Sequence, residues 1–280
     1  MTYEYKAVTT DDESIGEITD LLRVCFPKSE KYSDQFIRWQ YFDNPDGKII
    51  GFNAYYNKVL VAHYAIMPMF ANIDGKKEKG LLSLNTATHP EHQGKKLFTT
   101  LAEMSYNAAA EQDYGFVAGV ANANSTHGFV NKLGFQLAGM LDAKLGFGKI
   151  FYKENKSDSG FEKIWTNQSL KWRLSNPEND YKIKNNKIYS LTDKPGIEAI
   201  LFDAGDKYSL ENNKVSLGFR PVKLWIGIDN TIDWKRSFYF NIPNGMRPSP
   251  LNFIFKDLTD KKRTLDLNKI KFDALDFDAY

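Results

Sequence analysis

The sequence predicts an α/β chain in which helices and strands share a mixed sheet (α+β in its strand order), arranged as two halves. Three observations carry this. Residues 49–88 alternate in strand fashion between turns, residues 79–120 read as strand, helix, strand, and residues 150–163 turn polar between two apolar stretches. At 280 residues, 42% of them hydrophobic, the chain can bury a core larger than one small domain needs. The division falls at 150/151, giving halves of residues 1–150 and 151–280.

Residues 3–8 read as a short strand. Thr10-Asp11-Asp12-Glu13-Ser14 then offers a helix start, and Ile15, Ile18, Leu21, Leu22 and Cys25 follow at helical spacing until Phe26-Pro27. A second helix is expected over Ser33–Tyr41, closed by the turn at Asn44-Pro45. Four strands follow, over Ile49–Tyr56, Lys58–Pro68, Met69–Ile73 and Lys79–Thr88, with turns at Asn57 and Asp74-Gly75. Leu97–Gln112 is a helix with Leu97, Leu101, Met104, Ser105 and Ala108 on one face. Tyr114–Val120 is a buried type of strand, and Ser125–Leu133 a short helix stopped by Gly134. The second half is rich in strands, at Ile188–Leu191, Gly196–Asp203, Leu224–Ile228, Ser237–Phe240 and Leu251–Phe255. It also echoes the first: Trp39…Asn44-Pro45 returns as Trp172…Asn176-Pro177, each after a helix-like segment and before a hairpin.

Charge excludes some partners. With 37 basic and 35 acidic residues the net is +2, so no broad basic field exists to hold nucleic acid. The basic run Lys261-Lys262-Arg263 lies among Asp257, Asp260 and Asp266 and reads as solvated surface. Cys25 is the only cysteine, which excludes an internal disulfide and a cysteine-built zinc site. The first residues lack the apolar core of a signal peptide, and no run reaches the ~18 apolar residues of a membrane span. A cytoplasmic setting is expected, with no membrane or metal involved and homodimerisation left open.

Chemistry concentrates in Asn85-Thr86-Ala87-Thr88-His89-Pro90-Glu91-His92-Gln93-Gly94-Lys95-Lys96-Leu97-Phe98. A strand ends at Pro90, a basic turn follows, and a helix begins. The first amides of a helix lack internal partners and carry the positive end of its dipole, so a pyrophosphate can bind there through backbone donors. Gln93 adds a side-chain donor, Gly94 lets the backbone approach, and Lys95 and Lys96 add charge.

That run resembles the acyl-CoA-binding motif of the GNAT (Gcn5-related N-acetyltransferase) superfamily, Gln/Arg-x-x-Gly-x-Gly/Ala. Downstream, Asn122-Ala-Asn124-Ser-Thr-His127-Gly-Phe-Val-Asn-Lys-Leu-Gly-Phe135 resembles its second signature, an Asn, a short helix, then Leu-Gly-Phe. The resemblance implies a GNAT fold in two tandem GNAT-like halves. The second is degenerate, since it has no such loop. It further implies acyl-CoA as co-substrate, bound by Ala87, Thr88, His92, Gln93, Gly94, Lys95, Lys96, Leu97, Phe98, Asn122, Asn124 and His127. Asn85, Thr86 and His89 are the candidates for catalysis, with a backbone amide near Asn85–Ala87 polarising the thioester carbonyl. The sequence departs from the pattern at four places. Lys96 and Phe98 replace the motif's Gly and Gly/Ala, Val130 stands where a general-acid Tyr is usual, and Leu81–Thr88 carries no carboxylate to serve as base.

The implied activity is transfer of an acyl group from CoA to a small-molecule primary amine. The echo at Trp172, the form Gly-Lys-Lys-Leu-Phe and the strand Pro250–Lys256 resemble tandem enzymes that acylate nucleotide-linked amino sugars for surface polysaccharide. The competing readings are an acetyltransferase of a small amine or antibiotic, a silent acyl-CoA sensor, and aminoacyl transfer from charged tRNA. The CoA-type loop argues against the last.

Overall fold

The computed structural model describes residues 2–154, 159–205, 207–259 and 261–277. The expected polar linker therefore lies partly outside the described residues, as does Asp260.

Strand β1 (Glu4–Ala7) leads into helix α1 (Asp12–Cys25). Asp11 caps it by accepting from the Ser14 amide, and Ile15, Ile18, Leu21 and Leu22 are buried, as their spacing requires. Helix α2 (Asp34–Tyr41) is capped in the same way by Ser33. Next come β2 (Ile50–Tyr56), β3 (Val59–Ile73) and β4 (Lys76–Thr88), an antiparallel meander. Where four strands were expected there are three, because Lys58–Pro68 and Met69–Ile73 form one strand. Pro68 is accommodated at a gap in the sheet. On the edge away from β4, pairing with β2 stops at Ile66, and the next neighbour begins at Phe70. The Pro68 carbonyl is satisfied there by Asn44 Nδ2 at 2.9 Å, so the missing N–H leaves no broken ladder.

A 3-10 turn (Pro90–His92) precedes helix α3 (Leu97–Ala110), which ends two residues before the expected point. Leu97, Leu101, Ala102, Ser105, Tyr106 and Ala109 are its buried residues, so the inward face is centred slightly off the expected one. Strand β5 (Phe116–Ala121) is followed by α4 (Ala123–His127), a π-helical turn (Gly128–Lys132), β6 (Gln136–Met140) and β7 (Asp142–Phe147). The second half contributes β8 (Phe161–Ile164), α5 (Asn167–Leu174), β9 (Lys182–Lys184), β10 (Lys187–Leu191), β11 (Ile197–Asp203), β12 (Val222–Asp229), β13 (Phe238–Asn241), β14 (Asn252–Asp257) and β15 (Ile270–Asp273).

All these strands join one mixed sheet with the main order β6-β14-β5-β4-β3-β8-β15-β12-β11-β10-β9. The two halves trade strands. β14 lies between β5 and β6 of the first half, while β7 leaves the first half to pair with β12 and β13. Phe253, Ile254 and Phe255 on β14 are at most 1% exposed. Each such side chain contributes about 1.5–3 kcal/mol of burial, so the first half draws stability from the end of the chain. One core cluster on the α1/α2 face contains Phe36 and Trp39 together with Trp172, Phe253 and Phe272; the α3 face holds Tyr64, Tyr106, Phe129 and Phe135. Among the described residues no helix is long and apolar enough to cross a membrane.

Candidate active site

The site is a gap opened in the sheet by local backbone geometry. β4 and β5 run parallel and pair only at Leu81/Val117, Leu82/Ala118 and Ser83/Gly119. Gly119 permits that last close approach, since a Cβ there would lie 3.1 Å from the Ser83 Cβ. Beyond Ser83, β4 bulges. His63 of β3 faces Ala87, but Ala65 faces Leu84, which leaves an extra residue in β4, and Asn85 adopts φ +47°. Asn tolerates this left-handed conformation better than most residues. The bulge carries β4 away from β5.

A cavity of about 690 Å³ fills the gap, bounded by Ser83, Asn85 and Thr86 on one side and Val120, Asn124 and His127 on the other. The second half supplies Arg173 and Phe277 to its wall. A second cavity, of about 460 Å³, continues along Thr86, Ala87, Thr88 and His92 to Gln93, Gly94, Lys96 and Leu97 at the start of α3. Thr86, Phe98, Asn124 and Lys132 line both, so the two form one groove.

The start of α3 suits an anion. Gly94 has φ +74° and Lys96, the N-cap residue, φ +61°, and no side chain caps the helix. The first amides of α3 are left open for a ligand, in line with the helix dipole. A Cβ on Gly94 would meet nothing within 4 Å, so the glycine serves the turn and leaves space above it.

Sequence comparison shows that residues 4–138 match the family model of the acetyltransferase (GNAT) domain. This stretch, just under half of the chain, is similar to a GNAT acetyltransferase domain. None of the curated proteins matches the chain. Solved structures share its fold at low identity. A GCN5-related N-acetyltransferase from Anabaena variabilis is 13% identical with a TM-score of 0.59, the alignment covering 92% of this chain and 74% of that one. A tandem GNAT protein from the clavulanic acid biosynthesis pathway is 8% identical with a TM-score of 0.52, at 93% and 100% coverage. Saccharomyces cerevisiae N-myristoyltransferase, solved with bound myristoyl-CoA, is 9% identical with a TM-score of 0.58, at 96% and 88% coverage.

Within this GNAT-like region the residues expected at the site do not all face the groove. Thr86, Ala87, Thr88, His92, Gln93, Gly94, Lys96, Leu97, Phe98, Asn124 and His127 line it. His89 lines neither cavity; its Nδ1 accepts from the Glu91 amide at 3.4 Å. Lys95 lines neither either, and its ammonium turns back to the Glu91 carbonyl at 3.0 Å. Asn122 borders the larger cavity, yet its side chain caps α4, accepting from the amides of Asn124 and Ser125 at 3.0 Å each. His92 is buried against Tyr3, with Nδ1 3.0 Å from the phenol oxygen. Its pKa is lowered, by burial first and then by Lys95 and His89.

Phe98 replaces the small residue of the motif by packing inward, edge-on to Phe129 at 5.1 Å and to Tyr64 at 5.9 Å. Gly128 makes room for it, since a Cβ there would lie 2.7 Å from Phe98 Cε1. Lys31, Tyr32 and Gln40 from the α1–α2 region, Lys132, Arg173 and Phe277 complete the wall. Lys132 sits inside the Asn-Lys-Leu-Gly-Phe signature and could have been picked out there; nothing local in the sequence marks the others. No Asp or Glu lines either cavity among the described residues.

Proposed function

We propose that this protein is a cytoplasmic acyl-CoA-dependent N-acyltransferase that moves an acyl group to the primary amine of a nucleotide-linked amino sugar. The observation that carries the reading is the continuous groove from the uncapped start of α3 to the bulge of β4. The pyrophosphate would sit at Gln93–Leu97 with Lys96 beside it, and the pantetheine would run through the gap between β4 and β5. The thioester then lies at the bulge, where a backbone amide near Asn85–Ala87 polarises its carbonyl.

In this reading catalysis is mainly positioning in a ternary complex. The neutral amine attacks the thioester carbon, forming the C–N bond as the C–S bond breaks, and the thiolate leaves as CoA. The amine's surplus proton goes to water or to His127, the one imidazole on the larger cavity among the described residues. We assign residues 151–280 to shaping the acceptor side, supported by Arg173 and Phe277 in the wall. Lys31, Lys132 and the buried Arg173 on that wall suit an acceptor that carries phosphate.

That no Asp or Glu among the described residues lines the groove favours a second reading, a silent acyl-CoA sensor. Calorimetric titration with acetyl-CoA, followed by thiol release with a panel of nucleotide amino sugars and simple amines, separates the two. Turnover on an amino sugar supports the transferase, and turnover on simple amines alone moves the acceptor class. Saturable binding without turnover on any amine supports the sensor. Replacing Gln93→Ala with Gly94→Val should weaken CoA binding, and an unchanged affinity would refute the loop assignment.

A further inference from the structure

We propose that the Asn85 side-chain oxygen is the docking point for the N–H of the acceptor amine, held in place by a one-way chain of buried and half-buried hydrogen bonds. The inference rests on the groove being the acyl-transfer site.

The direction of the chain follows from counting hydrogens, starting at Glu17. The Tyr55 hydroxyl donates to Glu17 Oε2 at 2.8 Å. A phenol has one hydrogen, so Tyr55 accepts from Asn53 Nδ2 at 3.5 Å. Asn53 Oδ1 is then an acceptor, and His63 Nδ1 carries the hydrogen between them at 2.7 Å. Burial lowers the His63 pKa to about 3, which keeps the ring neutral and leaves Nε2 as an acceptor. Tyr41 therefore donates to Nε2 at 2.7 Å and, with its hydrogen spent, accepts from Asn85 Nδ2 at 3.0 Å. The second Asn85 amide hydrogen goes to Gln40 Oε1 at 2.6 Å.

Both amide hydrogens of Asn85 are thus committed to α2. What remains for the cavity it lines is Oδ1. The chain also fixes which end of the carboxamide is which, a choice that the bulge alone would leave open. Donors aligned in series polarise one another, and an amide that donates through nitrogen gains charge on oxygen. Oδ1 is therefore a strong, oriented acceptor beside the bulge amides, and an amine bonded to it by one N–H keeps its lone pair free for attack. An amide oxygen does not take up the proton, so Asn85 docks the amine without serving as its base. Tyr41 and His63 act through Asn85 as positioning residues.

The test uses the full chain and hydroxylamine as amine probe, trapping the acetyl group of acetyl-CoA as hydroxamate. Asn85→Gly keeps the left-handed backbone at no steric cost and removes only the carboxamide. It should raise the KM for hydroxylamine about tenfold, the worth of one oriented hydrogen bond, while the acetyl-CoA affinity stays within twofold. Tyr41→Phe keeps Asn85 but frees one amide hydrogen, and should raise the same KM by a smaller factor, about threefold. An unchanged KM in Asn85→Gly, or a wild-type protein that binds acetyl-CoA yet forms no hydroxamate above buffer, would overturn the inference. Failure to bind acetyl-CoA at all would instead overturn the reading of the groove.

Discussion

Trp39 and Trp172 bind each other's backbone: the indole Nε1 of each donates to the carbonyl oxygen of the other, both at 3.0 Å, with the rings stacked 4.8 Å apart at 19°. One lies on α2 and the other on α5, so the pair relates the two halves by a local two-fold. The turns that follow repeat the relation, as Asn44 Oδ1 accepts from the Asp46 amide and Asn176 Oδ1 from the Glu178 amide. The strand exchange of β7 and β14 fits the same symmetry.

Replacing either tryptophan with Phe removes an indole donor to the other's carbonyl and breaks up a buried stacked pair. Each should cost about 2–3 kcal/mol in urea unfolding. Because both changes dismantle one unit, the double variant should lose about 1 kcal/mol less than the sum. Strictly additive losses would show that the two indoles are independent core residues.

The exchange of β14 makes a prediction about fragments. Residues 1–150 alone lack the strand that fills the space between β5 and β6, where Phe253, Ile254 and Phe255 are buried. The fragment should bind ANS and melt without a cooperative transition, and co-expression with residues 151–280 should restore a complex that copurifies. A cooperative transition in the isolated fragment would mean that β5 and β6 can close without β14.

What the sequence reveals is what neighbours in the chain decide. The spacing of Ile15, Ile18, Leu21 and Leu22, the caps before α1 and α2, and the loop into α3 all depend on residues a few positions apart, and each could be read. The Trp and Asn-Pro echo was also legible, though not the mutual bonds it makes. Contacts between distant segments were not. Pro68 divides a strand on paper, yet it is tolerated because β2 and β8 happen to leave a gap there. Arg263 reads as part of a solvated run, but it bonds Glu78 at 2.7 Å and Asp257 at 2.8 Å and ties the end of the chain to β4. Asn122 has the right residue type for a ligand contact, yet its side chain is taken up by the cap of α4.

Lys96 shows how a motif position can change residue and keep its conformation. It stands where the GNAT motif carries Gly, and its φ of +61° is the one a Gly would adopt freely. The left-handed backbone costs a residue with a Cβ about 1–2 kcal/mol, partly offset by the greater unfolded-state entropy of Gly. Lys96→Gly should therefore stabilise the protein by up to about 1 kcal/mol, seen as a raised Tm. The lost charge should weaken CoA binding, more so at low salt. A lowered Tm would mean that the lysine side chain contributes more than its backbone conformation costs.

His63 gives the protein a specific sensitivity to acid. Its ring is buried between Tyr41 and Asn53, and burial lowers its pKa from 6.5 to about 3. Above pH 6.5 the ring is neutral both folded and unfolded, so it adds no pH dependence. Below that, the unfolded chain takes up the proton first, and folding stability falls as pH drops toward 3, by about 1.4 kcal/mol per pH unit. His63→Gln can hydrogen-bond to both neighbours but does not titrate. At pH 7.5 the variant should be the less stable protein, because the amide fits the site less well than the ring. By pH 5 the wild type should have lost about 2 kcal/mol relative to it, in urea unfolding at matched ionic strength. A gap between the two proteins that stays constant from pH 7.5 to 5 would show that His63 takes up its proton inside the folded state, and that the chain from Glu17 to Asn85 does not hold the ring neutral.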